Sequence, residues 1–146
     1  MTTALPDVNV LVALFDPAHL NHDDAHRWLS RHGRKTWATC PVTINGCIRV
    51  LSNSSYPARP LTTAGVAALL RELCAKPNHE FWDGGVSLLD ETRIRASKIA
   101  GPGQITDVYL LALAVAHGGK LVTFDRSIPL GAVVGAGAES LEILGA

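Results

Sequence analysis

Residues 105–125 decide the fold, and they read Ile-Thr-Asp-Val-Tyr-Leu-Leu-Ala-Leu-Ala-Val-Ala-His-Gly-Gly-Lys-Leu-Val-Thr-Phe-Asp. Apolar side chains follow Asp107 at the i+3, i+4 and i+7 positions, which is the spacing of one inward-looking helix face. The two glycines end that helix, and the apolar run after Lys120 is the clearest strand in the chain. A helix followed at once by a buried strand is typical of an α/β protein with a parallel sheet.

The same alternation continues on both sides of this stretch. We predict further strands at residues 4–7, 36–40, 79–82 and 141–144, and helices at 8–15, 21–32, 43–51, 62–75 and 89–99. Gly33 is the predicted terminator of the second helix. This order of elements favours a three-layer α/β/α sandwich around a central, mainly parallel sheet. Because no internal repeat or long linker divides the chain, residues 1–146 are expected to form one domain.

The composition excludes several classes of protein. The 13 basic side chains balance the 13 acidic ones, so no global field draws the chain to nucleic acid or to an anionic membrane. No apolar run approaches the ~20 residues of a membrane span. Three cysteines without a Cys-x-x-Cys pair argue against a disulfide framework and against a thiolate zinc site. We therefore expect a cytoplasmic protein that does not bind a membrane.

Three aspartates stand where a parallel sheet places its functional residues. Asp7 ends the first predicted strand, Asp125 ends the strand after Lys120, and Asp107 heads a helix. Taken singly, Asp107 could be a helix-start acid and Asp125 a turn residue. Taken together, they are expected to converge at one edge of the sheet. Carboxylate oxygens are the ligands that hard divalent cations prefer, so this convergence predicts a metal site.

Each aspartate also lies within a longer motif. The three motifs, in chain order, are Pro6-Asp7-Val8-Asn9-Val10-Leu11, Thr106-Asp107-x-Tyr109-Leu110-Leu111-Ala112-Leu113-Ala114 and Leu121-x-Thr123-Phe124-Asp125-Arg126. Together they resemble PIN-domain ribonucleases, specifically the VapC-type toxins of bacterial toxin–antitoxin pairs. The resemblance implies an α/β/α sandwich, clustered acids that bind Mg²⁺ or Mn²⁺, and endonucleolytic cleavage of RNA.

The resemblance also assigns roles to individual residues. The catalytic and metal-binding carboxylates would be Asp7, Asp107 and Asp125, supported by Asn9, Thr106 and Thr123. Independently of the resemblance, Arg49 and Arg126 flank these segments and are either contacts for RNA phosphates, because guanidinium groups suit phosphoryl oxygens, or ordinary surface charges. A small cognate VapB-like antitoxin would mask the site, and a homodimer is implied.

One position departs from the family pattern. Where the family usually reads Thr-Glu-Asn-Gly-x-x-Arg-Val, this chain reads Thr43-Ile44-Asn45-Gly46-Cys47-Ile48-Arg49-Val50. Ile44 thus replaces the expected fourth acid. Three carboxylates and one dication together carry a net charge of −1, whereas a second dication would make it +1. The missing acid therefore favours a single metal ion, or a site that the RNA phosphate completes.

This departure keeps a second class of function open. Without its fourth acid the chain could be a PIN-like module that binds RNA or antitoxin and has lost turnover. An aspartate-based phosphotransfer domain is a third alternative, but Asn9 stands where that chemistry would need a second acid.

The remaining polar signals each have a structural explanation as well. His19, His22 and His26 could bind zinc or could belong to a solvated amphipathic helix. Arg93, Arg95 and Lys98 form a basic cluster. This cluster could hold the RNA backbone or could be a solvated helix face. Residues 131–137 are glycine-rich but lack the context of a nucleotide-binding loop, so a flexible connection is expected there. The three tryptophans are expected in the core.

Overall fold

The sheet is parallel throughout. Within residues 2–32, 35–57 and 61–145, which the computed structural model describes, five strands form one sheet in the order β3-β2-β1-β4-β5. The strands are β1 (Ala4–Pro6), β2 (Trp37–Thr39), β3 (His79–Phe81), β4 (Lys120–Thr123) and β5 (Leu141–Ile143). The helices are α1 (Val8–Phe15), α2 (His22–His32), α3 (Pro41–Leu51), α4 (Thr63–Cys74) and α5 (Ile105–Ala116). The five predicted strands are therefore confirmed. The helices predicted at residues 8–15, 21–32, 43–51 and 62–75 and the helix that contains Asp107 are confirmed as well, with ends that differ from the prediction by at most two residues.

Successive strand residues supply two cores. Ala4 and Val122 pack on one side of the sheet with α1, α2, α3 and α4, whereas Leu5 and Leu121 pack on the other side with α5. This alternation is the expected consequence of the two-residue period of a strand. The predicted three-layer α/β/α sandwich is confirmed. In the described ranges, no helix is both long and apolar enough to cross a membrane.

The two glycines after α5 allow β4 to start beside β1. Gly118 has a φ of +66°, a left-handed conformation that ends a helix without a Cβ penalty. At Gly119 a Cβ would lie 2.4 Å from the carbonyl oxygen of Thr3. Only a residue without a side chain can follow this path, which brings Lys120 opposite Ala4.

The helix predicted at residues 89–99 is wrong. The structure has turns and a short 3-10 helix there, and Ile94 forms an antiparallel bridge with Val133. The N–H of Arg95 donates to the carbonyl of Ala132 at 2.8 Å. Backbone groups that a helix would bond internally are paired with a distant segment, so tertiary contact overrides a weak local pattern.

The same bridge corrects the expectation for residues 131–137. They do connect to β5, as predicted, but Ala132 and Val133 are buried and hydrogen-bonded rather than part of a flexible connection.

The tryptophans are confirmed as core residues, because Trp28, Trp37 and Trp82 are each at most 5% exposed. The predicted terminator Gly33 lies outside the described residues.

Candidate acidic site at the carboxyl edge of the sheet

Asp7 directly follows β1 and caps α1. Its Oδ1 accepts a hydrogen bond from the backbone N–H of Val10 at 3.1 Å. The residue is only 4% exposed. Burial raises the pKa of the Asp7 carboxyl group, although hydrogen bonds from Thr123 and from the start of α1 act in the opposite direction. Asp7 is thus a buried acid whose oxygens are partly satisfied, which reduces the penalty of placing it in the core.

Thr123, the last residue of β4, connects two of the acids. Its hydroxyl donates to Oδ2 of Asp7 at 2.5 Å, although the two residues are 116 positions apart in the chain. The Thr123 hydroxyl oxygen, in turn, accepts a hydrogen bond from the backbone N–H of Asp125 at 3.0 Å. Since β1 and β4 are neighbours in the sheet, with Pro6 opposite Val122, the residues that follow each strand emerge side by side.

Asp107 completes the group from the first turn of α5. Burial, followed by the negative charges of Asp7 and Asp125, raises the pKa of Asp107 to about 6. Asp125 behaves differently, because hydrogen bonds from Ser127 hold the pKa of its carboxyl group below the usual value. Among the ion pairs of the described residues, none includes these three acids. Negative charge is therefore concentrated at this edge of the sheet.

The donor chemistry of this edge fits a hard divalent cation. Carboxylate oxygens are the preferred ligands of Mg²⁺ and Mn²⁺, and a cation would relieve the repulsion that raises the pKa of Asp107. The side chains are not closed around one point: within the described ranges, no set of three or more acids, histidines or cysteines is grouped tightly enough to hold a metal ion. Metal binding here would require the carboxylates to move closer together.

The other predicted site residues lie around this group. Asn9 is exposed in the first turn of α1, and Thr106 is exposed in the first turn of α5. Ile44 is half-buried and packs against the apolar cluster that includes α1. The position where a fourth acid was expected therefore contributes packing.

The two arginines are exposed. Arg49 is in the last turn of α3, and Nη2 of Arg126 donates to the backbone carbonyl of Gly145 at 3.0 Å, near the end of β5. The hydrogen bonds and ion pairs described for the chain connect neither guanidinium to the acids. Phosphate binding by Arg49 and Arg126 stays a prediction.

The histidines support the structural explanation. Nδ1 of His22 lies 2.7 Å from the carbonyl oxygen of Ala13, and Nε2 of His26 lies 2.8 Å from that of Leu14. A carbonyl oxygen can only accept, so these ring nitrogens donate and tie α2 to the end of α1. These two ring nitrogens are therefore engaged in helix packing rather than available to bind zinc.

Sequence reasoning missed Ser127 and Gln104. Ser127 donates two hydrogen bonds to Asp125, and Gln104 donates to the carbonyl of Ser127. The signal for Ser127 is the Asp-x-Ser spacing, in which a serine two residues after an aspartate returns to its carboxylate. Gln104 has no comparable local signal, because its partner is 23 residues away.

The fold agrees with what comparison with known proteins finds. A model of the PIN domain matches residues 4–131. The chain therefore belongs to the PIN-domain family, as a VapC-type member.

Individual relatives extend this similarity to nearly the whole chain. Ribonuclease VapC44 of Mycobacterium tuberculosis (strain CDC 1551 / Oshkosh) is 47% identical over 141 residues, which cover 97% of this chain and 99% of that protein. Ribonuclease VapC39 of the same strain is 38% identical over 126 residues, covering 86% of this chain and 91% of that protein. Ribonuclease VapC29 of that strain is 33% identical over 126 residues, covering 86% and 88%. The resemblance seen in the three motifs is confirmed.

Proposed function

We propose that this chain is a divalent-metal-dependent endoribonuclease of the VapC type, a toxin that a cognate VapB-like antitoxin inhibits. The observation that carries the proposal is that Asp7, Asp107 and Asp125 lie at one edge of the sheet, near enough that burial and the charges of the other two acids raise the pKa of Asp107. Similarity to a protein named as a ribonuclease, over 97% of the chain, supports the same reaction. The ribonuclease names of the relatives favour turnover over a non-catalytic binding module.

The proposed activity assigns metal binding to the three acids and a supporting role to Thr123. Asp7, Asp107 and Asp125 would hold Mg²⁺ or Mn²⁺. Thr123 orients the Asp7 carboxylate through a 2.5 Å hydrogen bond, so the other two carboxylates would move toward Asp7 to complete the site. A bound cation would supply positive charge to the phosphoryl oxygens and would lower the pKa of an attacking water.

The remaining parts of the proposal concern partners and surroundings. RNA is the substrate, the antitoxin covers the acidic edge, and the toxin acts as a homodimer in the cytoplasm. The three unpaired cysteines are consistent with a reducing compartment. We also propose that residues 1–146 form one PIN-like domain, since β5 lies beyond residue 131 and still pairs with β4.

The test is single-turnover cleavage of a pool of structured RNAs with Mn²⁺, with Mg²⁺ or with a chelator. The parent is expected to cleave only with metal, and Asp7→Asn is expected to lose at least about a hundredfold in rate, because it removes one metal-binding charge. Asparagine is a good N-cap, so this variant keeps the capping bond of α1. Asp125→Asn is expected to lose activity in the same way.

Asp90→Asn is the matched control for Asp125→Asn. Asp90 accepts hydrogen bonds from Thr92 in the same way as Asp125 does from Ser127, but its charge does not act on the acidic site. The activity of Asp90→Asn should equal that of the parent.

Ile44→Glu, compared with Ile44→Gln of similar shape, tests the departure from the family pattern. A parent that is inactive on the whole pool beside an active Ile44→Glu would overturn the proposal.

A further inference from the structure

Ser127 binds one oxygen of the Asp125 carboxylate twice. Its backbone N–H donates to Oδ1 at 2.7 Å, and its hydroxyl donates to the same atom at 2.6 Å. Asp125 lies two residues beyond β4, so no hydrogen bond of the sheet orients its side chain. Because both bonds from Ser127 end on Oδ1, the carboxylate is held in one orientation.

Gln104 connects the same turn to α5. It occupies the N-cap position of that helix, one turn before Asp107. Its Oε1 accepts the backbone N–H of Ala100 at 2.9 Å, and its Nε2 donates to the carbonyl of Ser127 at 3.3 Å. The turn that carries Asp125 is thereby tied to the helix that carries Asp107.

We propose that Ser127 and Gln104 are positioning residues of the acidic site. Ser127 sets the orientation of the Asp125 carboxylate, and Gln104 sets the position of its turn relative to Asp107. Both act through Asp125 and neither is a metal ligand. The inference rests on the proposed metal-dependent function and adds two residues on which binding of the cation depends.

The chain contains a matched control for Ser127. At Asp90, Oδ1 accepts the backbone N–H of Thr92 at 3.0 Å and its hydroxyl at 2.6 Å, in an equally exposed turn. Ser127→Ala and Thr92→Val each remove one hydroxyl hydrogen bond and leave the N–H bond in place. Their effects on stability should be similar, whereas only Ser127→Ala should change the acidic site.

The experiment measures Mn²⁺ binding to the full chain without RNA, by calorimetry, and single-turnover RNA cleavage over a series of Mn²⁺ concentrations. Ser127→Ala is expected to bind Mn²⁺ roughly tenfold more weakly, as is usual when a partner of a metal ligand is lost. Most of its cleavage rate should return at saturating Mn²⁺. Ser127→Thr should restore the parent affinity, since it restores the hydroxyl. Gln104→Leu should weaken binding by less, and Thr92→Val should match the parent.

Parent-like Mn²⁺ binding by Ser127→Ala would overturn the role of Ser127, as would an equal loss in Thr92→Val. Parent-like binding by Gln104→Leu would overturn the role of Gln104. A parent that neither binds Mn²⁺ nor cleaves any RNA would overturn the proposed function and this inference with it. The first two results differ from the third because the parent remains active in them.

Discussion

At the scale of single residues, one side-chain type has three different environments in the acidic site. Asp7 is buried, Asp107 is half-buried beside two like charges, and Asp125 accepts hydrogen bonds from Ser127. Desolvation and like charge favour the neutral form of an acid, while hydrogen bonds favour the charged form. The pKa values of Asp7 and Asp107 are therefore raised and that of Asp125 is lowered. At neutral pH and without a metal, ionised Asp7 and Asp107 should therefore destabilise the fold, whereas ionised Asp125 should stabilise it.

This leads to a prediction for the metal-free protein. Burial and the neighbouring charges raise the pKa of Asp107 to about 6 in the folded chain, against an ordinary value of 3.8, so between these values the folded state binds more protons than the unfolded state. The stability that Asp107 contributes is present below about pH 4 and is lost as pH rises through about 6. Asp107→Asn should flatten the fall in the free energy of unfolding across this window, measured by urea unfolding with a chelator.

Asp90→Asn is the control for this series. The pKa of Asp90 is lowered by its hydrogen bonds from Thr92, so the stability it contributes is present at higher pH and is lost on acidification. Asp90→Asn should therefore leave unchanged the fall in the free energy of unfolding that occurs as pH rises. Equal slopes for the parent and Asp107→Asn would contradict the prediction.

At the scale of elements, the acidic site depends on close packing of α1 against α3. A Cβ on Gly46 of α3 would lie 2.5 Å from Cγ2 of Val8, the first residue of α1. Val8 directly follows Asp7, which caps the same helix. The glycine therefore lets α3 approach the start of α1, where Asp7 is the cap.

Gly46→Ala is expected to destabilise the fold by about 1–3 kcal/mol, which is typical of overpacking. The loss should be smaller in a Val8→Ala background, because that change removes the clashing methyl groups. The measurement is the free energy of unfolding of the two single variants and the double variant. Gly131→Ala serves as control, since a Cβ there meets nothing within 4 Å. Additive losses in the double variant would show that the two side chains do not meet.

At the scale of the whole molecule, the acidic site joins segments that are distant in the chain. Asp7 follows β1, Asp107 opens α5, and Asp125 follows β4. A cation that binds all three can do so only in the folded chain, so its binding free energy adds to the free energy of unfolding. The proposed cofactor should therefore also stabilise the fold.

Mn²⁺ at a hundredfold excess over its dissociation constant should raise the free energy of unfolding by about 2.7 kcal/mol. Thermal unfolding with and without Mn²⁺ measures this as a rise in Tm, and a chelator should reverse it. Asp7→Asn should show little of the rise. The same rise in parent and variant would indicate that the ion binds elsewhere.

From the sequence alone, the order of the strands and of every helix but the one expected at residues 89–99 could be predicted, together with the elements that carry the three acids. Apolar residues repeat with the period of the structure that buries them, so residues 105–125 predicted α5 and β4, and parallel strands bring Asp7 and Asp125 to one edge. The motifs around these acids were specific enough to indicate the family, which the comparisons confirmed.

Only the tertiary structure decided how the acids are held and charged. The bridge between Ile94 and Val133, the bond from Thr123 to Asp7, and the bond from Gln104 to Ser127 join residues far apart in the chain. Such partners leave no periodic pattern in the local sequence. The pKa of Asp107 likewise depends on burial and on charges brought close by folding. The local sequence pattern indicates which face of a helix or strand is buried. The residues that contact that face come from distant segments, so only the folded chain defines them.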